Sequence, residues 1–158
     1  MENTESNFIQ NADRNYISAV FEALMNFQAI EDLLKESILS SYEILAKTTP
    51  PELEFRPSTK DIKRIKSNLG LGGLLNKFEE LTPNKELCKK IRGASIIRNE
   101  LAHKAAANYL KFTPSNNGAQ QAVLETKKYD DASKLANSLY YELNDVYEKI
   151  MLVHGEKV

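Results

Sequence analysis

Residues 96–106 read Ile96-Ile97-Arg98-Asn99-Glu100-Leu101-Ala102-His103-Lys104-Ala105-Ala106. At about 100° per residue, the positions Leu87, Ile91, Ala94, Leu101 and Ala105 fall on one apolar stripe, and the spacing predicts a helix to about Asn108. Arg98 projects within that stripe, where an apolar residue is expected. A cation there needs a charged partner, an anionic ligand or an aqueous cleft, since an unpaired buried charge costs roughly several kcal/mol. Asn99 and His103 are four apart and share a different flank, so the amide can orient the imidazole. Arg98 and His103 are five apart and diverge on a straight helix. They meet at one target only if the helix loosens near His103, or if a second protomer supplies one of them.

The spacing alone leaves a plainer alternative open. An arginine followed after four residues by a histidine arises by chance in about one chain in seven of this length, so it does not by itself separate a site from packing. A buried arginine paired with a carboxylate, beside a histidine that only caps or packs, would look the same.

Outward from this stretch, the rest reads as helices able to hold it. Tyr16 to Ala46 carries a long helical pattern with no Gly or Pro, preceded by a lead over residues 1–12 expected to fray. Its predicted apolar stripe is Ile17, Val20, Phe21, Leu24, Phe27, Leu34, Ile38, Leu39, Tyr42 and Leu45. Gln28, Glu31 and Lys35 interrupt it. Glu31 pairs either with Lys35, one turn on, or with Arg98 across the bundle. Thr48-Thr49-Pro50-Pro51 ends the helix, and the chain is expected to stay irregular through Pro57. Ser58-Thr59-Lys60-Asp61 is a capping box opening a short helix lined by Ile62, Ile65 and Leu69. Lys60, Lys63, Arg64 and Lys66 stand on its outer side, the densest basic cluster in the chain. It is either a solvated face or a guide for phosphates.

Gly70, Gly72 and Gly73 lack the following Lys-Ser/Thr of a phosphate loop and read as a helix–helix junction. Leu71, Leu74, Leu75, Phe78 and Leu81 then make a short helix, and Thr82-Pro83 punctuates it, with Pro suited to the first turn of the next. Tyr109–Phe112 and Ala122–Thr126 look extended around Ser115-Asn116-Asn117-Gly118 and admit a small β-hairpin. A last helix follows from about Tyr129 to Val153, through Ala132, Leu135, Leu139, Leu143, Val146, Ile150 and Val153. Its far side is acidic and carries Tyr140, Tyr141 and Tyr147. His154 falls in the tail beside Gly155 and has no assigned role. The expected fold is all-α: one domain over 1–158, an antiparallel bundle of four to five helices.

Composition bounds the function. The 158 residues are 42% hydrophobic and 27% charged, as in an ordinary globular protein with a core of its own. Lys+Arg 21 against Asp+Glu 22 gives a net charge of −1, so a polyanion site must be a local patch rather than a property of the whole surface. Cys88 is alone, which excludes an internal disulfide and a thiolate metal cluster. Neither a metal nor a cofactor is expected. The acidic, polar opening lacks the basic-then-apolar profile of a signal peptide, and no apolar run approaches membrane-spanning length. The expectation is a cytoplasmic protein.

At Arg98-Asn99-Glu100-Leu101-Ala102-His103 the chain resembles the HEPN superfamily, the higher eukaryote and prokaryote nucleotide-binding domains. The signature of that family is an Arg, usually followed by Asn, His or Asp, and a His after four to six intervening residues. The long first helix, with Phe27-Gln28-Ala29-Ile30-Glu31-Asp32, and the single closing helix also look like that fold. Only the six-residue motif is specific. The resemblance implies a metal-independent endoribonuclease of toxin or anti-phage type, with two protomers bringing their motifs to a shared cleft. It implies His103 as general acid/base around the RNA 2′-OH or the leaving oxygen, Arg98 holding the scissile phosphate, and Asn99 positioning the pair. The products would be a 2′,3′-cyclic phosphate and a 5′-hydroxyl. Implied partners are RNA, a second copy of the chain and an antitoxin. Some toxin branches place a Tyr two residues beyond the His; here that residue is Ala105, and the nearest downstream Tyr is Tyr109. The alternatives are a non-catalytic HEPN-like binding or adaptor module, since fold alone does not carry cleavage, and a structural bundle with Arg98–Glu31 as an internal ion pair.

Overall fold

A computed structural model of the chain describes residues 2–50, 52–53, 57–67, 69–112 and 116–155. Pro51 and Ser115, two of the expected breaks, lie outside the described residues, as does the side chain of His154. Among the described residues the fold is an all-α helical bundle of five helices: α1 (Glu2–Thr48), α2 (Thr59–Ser67), α3 (Leu71–Leu81), α4 (Lys85–Phe112) and α5 (Asn116–Gly155). No helix among the described residues is long and apolar enough to cross a membrane.

Three boundaries differ from the sequence reading. Helix α1 begins at Glu2, within the stretch expected as a lead, and Ala12 on it is already buried. Among the described residues the expected hairpin does not form: Tyr109–Phe112 complete α4, and Ala122–Thr126 belong to α5. Local strand propensity in those runs yields to packing, since Ala119, Ala122 and Tyr129 recur on one helical face and are all buried. Gly72 and Gly73 lie inside α3, while Gly70 serves as its N-cap.

The chain divides into two compact units, one made of residues 1–28 with 94–137, the other of 29–93 with 138–158. In the first, the buried apolar side chains described are Tyr16, Phe27, Leu101, Tyr129 and nine alanines: 12, 19, 23, 94, 105, 119, 122, 132 and 136. Small side chains let helix backbones approach closely, and the three large rings fill what remains. This inverts part of the expected α1 stripe. Tyr16, Ala19, Ala23 and Phe27 face inward, whereas Ile17 and Phe21 are 50% and 62% exposed. Asn26 fixes α1 to α5 through Ser133, donating from Nδ2 to its Oγ at 2.9 Å.

The second unit has a conventional aliphatic core. Ile30, Leu34 and Ile38 of α1, Ile65 of α2, Leu74, Leu75 and Phe78 of α3, Leu87 and Ile91 of α4, and Leu139 and Leu143 of α5 are all buried. Each such side chain contributes about 1.5–3 kcal/mol by leaving water. Ser37, buried among them, donates to the Leu33 carbonyl at 2.7 Å, so its hydroxyl is satisfied within its own helix. Lys90 of α4 and Glu142 of α5 pair at 2.8 Å on the surface. Half of the expected capping box is formed: the Asp61 amide donates to Ser58 Oγ at 3.0 Å, while the Asp61 carboxylate accepts from that hydroxyl at 2.7 Å rather than from the Ser58 amide.

Between α3 and α4 the cap is built in relay. The Thr82 amide closes α3 on the Phe78 carbonyl, Thr82 Oγ1 accepts from the Asn84 amide at 3.2 Å, and Asn84 Oδ1 accepts from the Leu87 amide at 3.1 Å. Asn84 is therefore the N-cap of α4, and Pro83 stands just outside the helix rather than in its first turn. Asn84→Ala should lower stability by about 1 kcal/mol in urea unfolding. Gly72 is helical and exposed with open space where a Cβ would stand, so Gly72→Ala should raise stability by about 0.5–1 kcal/mol in the same measurement.

Candidate functional site

Helix α4 carries the whole motif, in the first unit. It runs unbroken from Lys85 to Phe112, so Arg98 and His103 diverge by about 140° around its axis. Of the two routes to convergence, local loosening of the helix does not occur in α4. The stripe Leu87, Ile91, Ala94, Leu101 and Ala105 is buried as expected. Arg98 interrupts it in a half-buried position and donates from Nη1 to Asn99 Oδ1 at 3.4 Å, a long contact.

Asn99 and His103 lie on the opposite, exposed face. Two large aliphatic side chains bracket them there, Ile96 at 70% and Leu110 at 76% exposure. Ala106 and Ala107 are exposed between His103 and Leu110, so the face is apolar apart from one amide and one imidazole. The flank beside it is charged. Glu100 accepts from Lys128 of α5 at 2.7 Å and lies 3.6 Å from Lys104. The hydrogen bond from Lys128, together with the charge of both lysines, holds the Glu100 carboxyl below its ordinary range.

Behind the motif, α4 is anchored from the inside. Tyr16 of α1 is buried and donates its hydroxyl to the Ala105 carbonyl, two residues past His103, at 2.9 Å. Its ring stacks on Tyr109 at 6.2 Å between centroids and meets Tyr129 edge-on at 5.6 Å. Burial pushes the Tyr16 hydroxyl well above the ordinary tyrosine range, with the neighbouring Tyr129 adding to it. Tyr129 is raised too, chiefly by burial, with the nearby Glu125 carboxylate adding to it. Neither tyrosine, nor Glu100 and Lys128, was singled out from sequence. Only the Ala12-Tyr16-Ala19-Ala23 spacing hinted at Tyr16; nothing local pairs Lys128 with Glu100, 28 residues away.

The other expected site residues lie in the second unit. Lys60, Lys63, Arg64 and Lys66 are all exposed on α2, so the basic cluster is real as a surface. It is not purely basic, because Asp61 and Glu80 line the same small hollow as Arg64 and Lys77. Glu31 is buried at 5% exposure, and Lys35 takes Asp32 as its carboxylate at 3.1 Å. No group of three or more His, Cys, Asp or Glu side chains among the described residues is placed to hold a metal ion. Cys88 is fully buried, and burial raises its thiol, the setting of a packing residue.

No family model, curated protein or solved structure matches the chain.

The tyrosine anchor has a pH signature. Tyr16 keeps its proton in the folded state to higher pH than in the unfolded chain, whose tyrosines ionise near 10. Its contribution is therefore complete below about pH 10 and declines as pH rises beyond that value. Tyr16→Phe should cost about 1 kcal/mol at pH 7, from the lost hydrogen bond. It should also make the fall in urea midpoint above about pH 10 shallower than in the parent protein.

Proposed function

We propose that the chain is an HEPN-like, metal-independent endoribonuclease of the toxin or anti-phage type, acting as a homodimer on RNA in the cytoplasm. One observation carries this reading. Asn99 and His103 stand on an exposed helix face bracketed by exposed Ile96 and Leu110, while Arg98 reaches Asn99 from the half-buried side. Such a face has the composition of an interface centre, apolar with few polar groups. A second copy laid against it would cover the aliphatic side chains. It would also bring one copy's His103 toward the other's Arg98, which a single straight helix keeps apart.

In that cleft His103 would take the proton of a ribose 2′-OH, or return one to the departing 5′ oxygen. The 2′ oxygen attacks phosphorus, the bond to the 5′ oxygen breaks, and a 2′,3′-cyclic phosphate remains. Arg98 would grip the phosphate oxygens as charge accumulates on them, and Asn99 would hold the two side chains in register. Lys60, Lys63, Arg64 and Lys66 would guide the strand by its phosphates. An antitoxin that covers this face would hold the enzyme silent.

Purified protein incubated with structured RNA in EDTA should cut it, leaving cyclic phosphate ends. His103→Ala and Arg98→Ala should each lower the rate by roughly a hundredfold or more. Mixing these two variants should restore part of the activity, because one of the two composite clefts is then intact. Undiminished cutting by His103→Ala would reject the proposal.

A second reading, a non-catalytic binding or adaptor module, draws on the outward row Ile17, Phe21 and Met25 of α1, each at least half exposed. Under it, partner capture survives loss of both Arg98 and His103 and is abolished by Phe21→Glu.

A further inference from the structure

We propose that the second unit binds the carboxylate of a free, single-chain fatty acid. The chain would lie in an open apolar groove flanked by the α3–α4 turn, and the head group would meet Lys149. The cavity measures about 490 Å³, within the range of small-molecule sites. Ile44 and Leu45 near the end of α1, Phe78 and Leu81 of α3, and Val146 and Ile150 of α5 make its walls.

Its polar groups decide what it can hold. Ser41 spends its hydroxyl on the Ser37 carbonyl at 2.7 Å. Thr82 and Asn84 spend their side-chain oxygens on the cap relay that opens α4. The Ser41 hydroxyl proton and the acceptor oxygens of Thr82 and Asn84 are thus committed to the helices themselves, and what the neutral side chains leave over is chiefly donors, the Asn84 amide nitrogen among them, which suit an acceptor head group. Lys149 is different. It is exposed at the cavity and makes no hydrogen bond or ion pair with any described residue. The 28-residue α4 also begins at this wall, and the positive end of its dipole adds to the lysine. An apolar hollow with one uncommitted cation at its edge is complementary to a hydrocarbon chain ending in a single negative charge. A neutral lipid would leave the ammonium unanswered, and a polyanion would find no second cation among the described lining residues.

The test is calorimetric titration of the full chain with octanoate, decanoate and dodecanoate, and with decanol as the neutral counterpart. Affinity should rise by about fourfold per added methylene, as burial of each CH₂ predicts. Decanoate should bind about tenfold more tightly than decanol. Lys149→Gln, a surface change, should erase that preference while leaving decanol unaffected, and Lys149→Arg should restore it. Val146→Phe, which narrows the cavity, should weaken both ligands. The proposal is overturned by equal binding of decanoate and decanol to the parent protein, by no saturable binding of any chain, or by binding indifferent to both Lys149 and Val146. None of these measurements depends on Arg98, His103 or nuclease activity.

Discussion

The distance at which helix backbones can meet governs the first unit, and alanine sets it. With nine alanines inside, α1, α4 and α5 approach until backbone groups of one helix come within reach of side chains on another. Only then can the Tyr16 hydroxyl find the Ala105 carbonyl. That carbonyl is already part of a helical ladder, so the bond adds a second donor to an oxygen with two lone pairs. The result ties the turn carrying His103 to the core by its backbone, leaving the imbalance of apolar and polar side chains on the outer face untouched.

Much of this was legible in the sequence, for reasons that also explain the failures. The α4 stripe is legible because its members are spaced by three, four and seven, and Arg98 is the one residue that breaks the apolar face. In α1 two faces compete. Ile17, Val20, Phe21 and Leu24 carry more hydrophobicity than Ala12, Ala19 and Ala23, so a reading weighted by side-chain size selects the wrong one. The structure selects the face where Tyr16 and Phe27 can interleave with small residues from neighbouring helices. The hairpin failed for a related reason. Tyr109–Phe112 and Ala122–Thr126 are short runs in which helix and strand patterns overlap, and length alone could not arbitrate. Their alanines and tyrosines acquire meaning only once α1 is present to receive them.

The candidate site was readable in part. The divergence of Arg98 and His103 follows from helix geometry alone. Its surroundings were not readable, because they come from far along the chain. Lys128 reaches Glu100 from another helix, and Tyr16 reaches Ala105 across 89 positions of sequence. Charge pairs and buried hydroxyls of this kind leave no periodic trace. The exposure of Ile96 and Leu110 was equally hidden, since both are residues that a pattern assigns to the interior by default.

The two cores also predispose the units to fail in opposite ways. Packing made of alanine loses little when a methyl is removed but has nowhere to put one more carbon, so the first unit is vulnerable to wedging: a valine at Ala23 or Ala136 must pry two backbones apart. The aliphatic interior of the second unit is vulnerable to hollowing, where shortening Leu34 or Leu143 leaves a void that rigid neighbours cannot fill. Sequence drift would therefore be expected to proceed toward smaller residues in one half of the chain and toward rearranged large ones in the other.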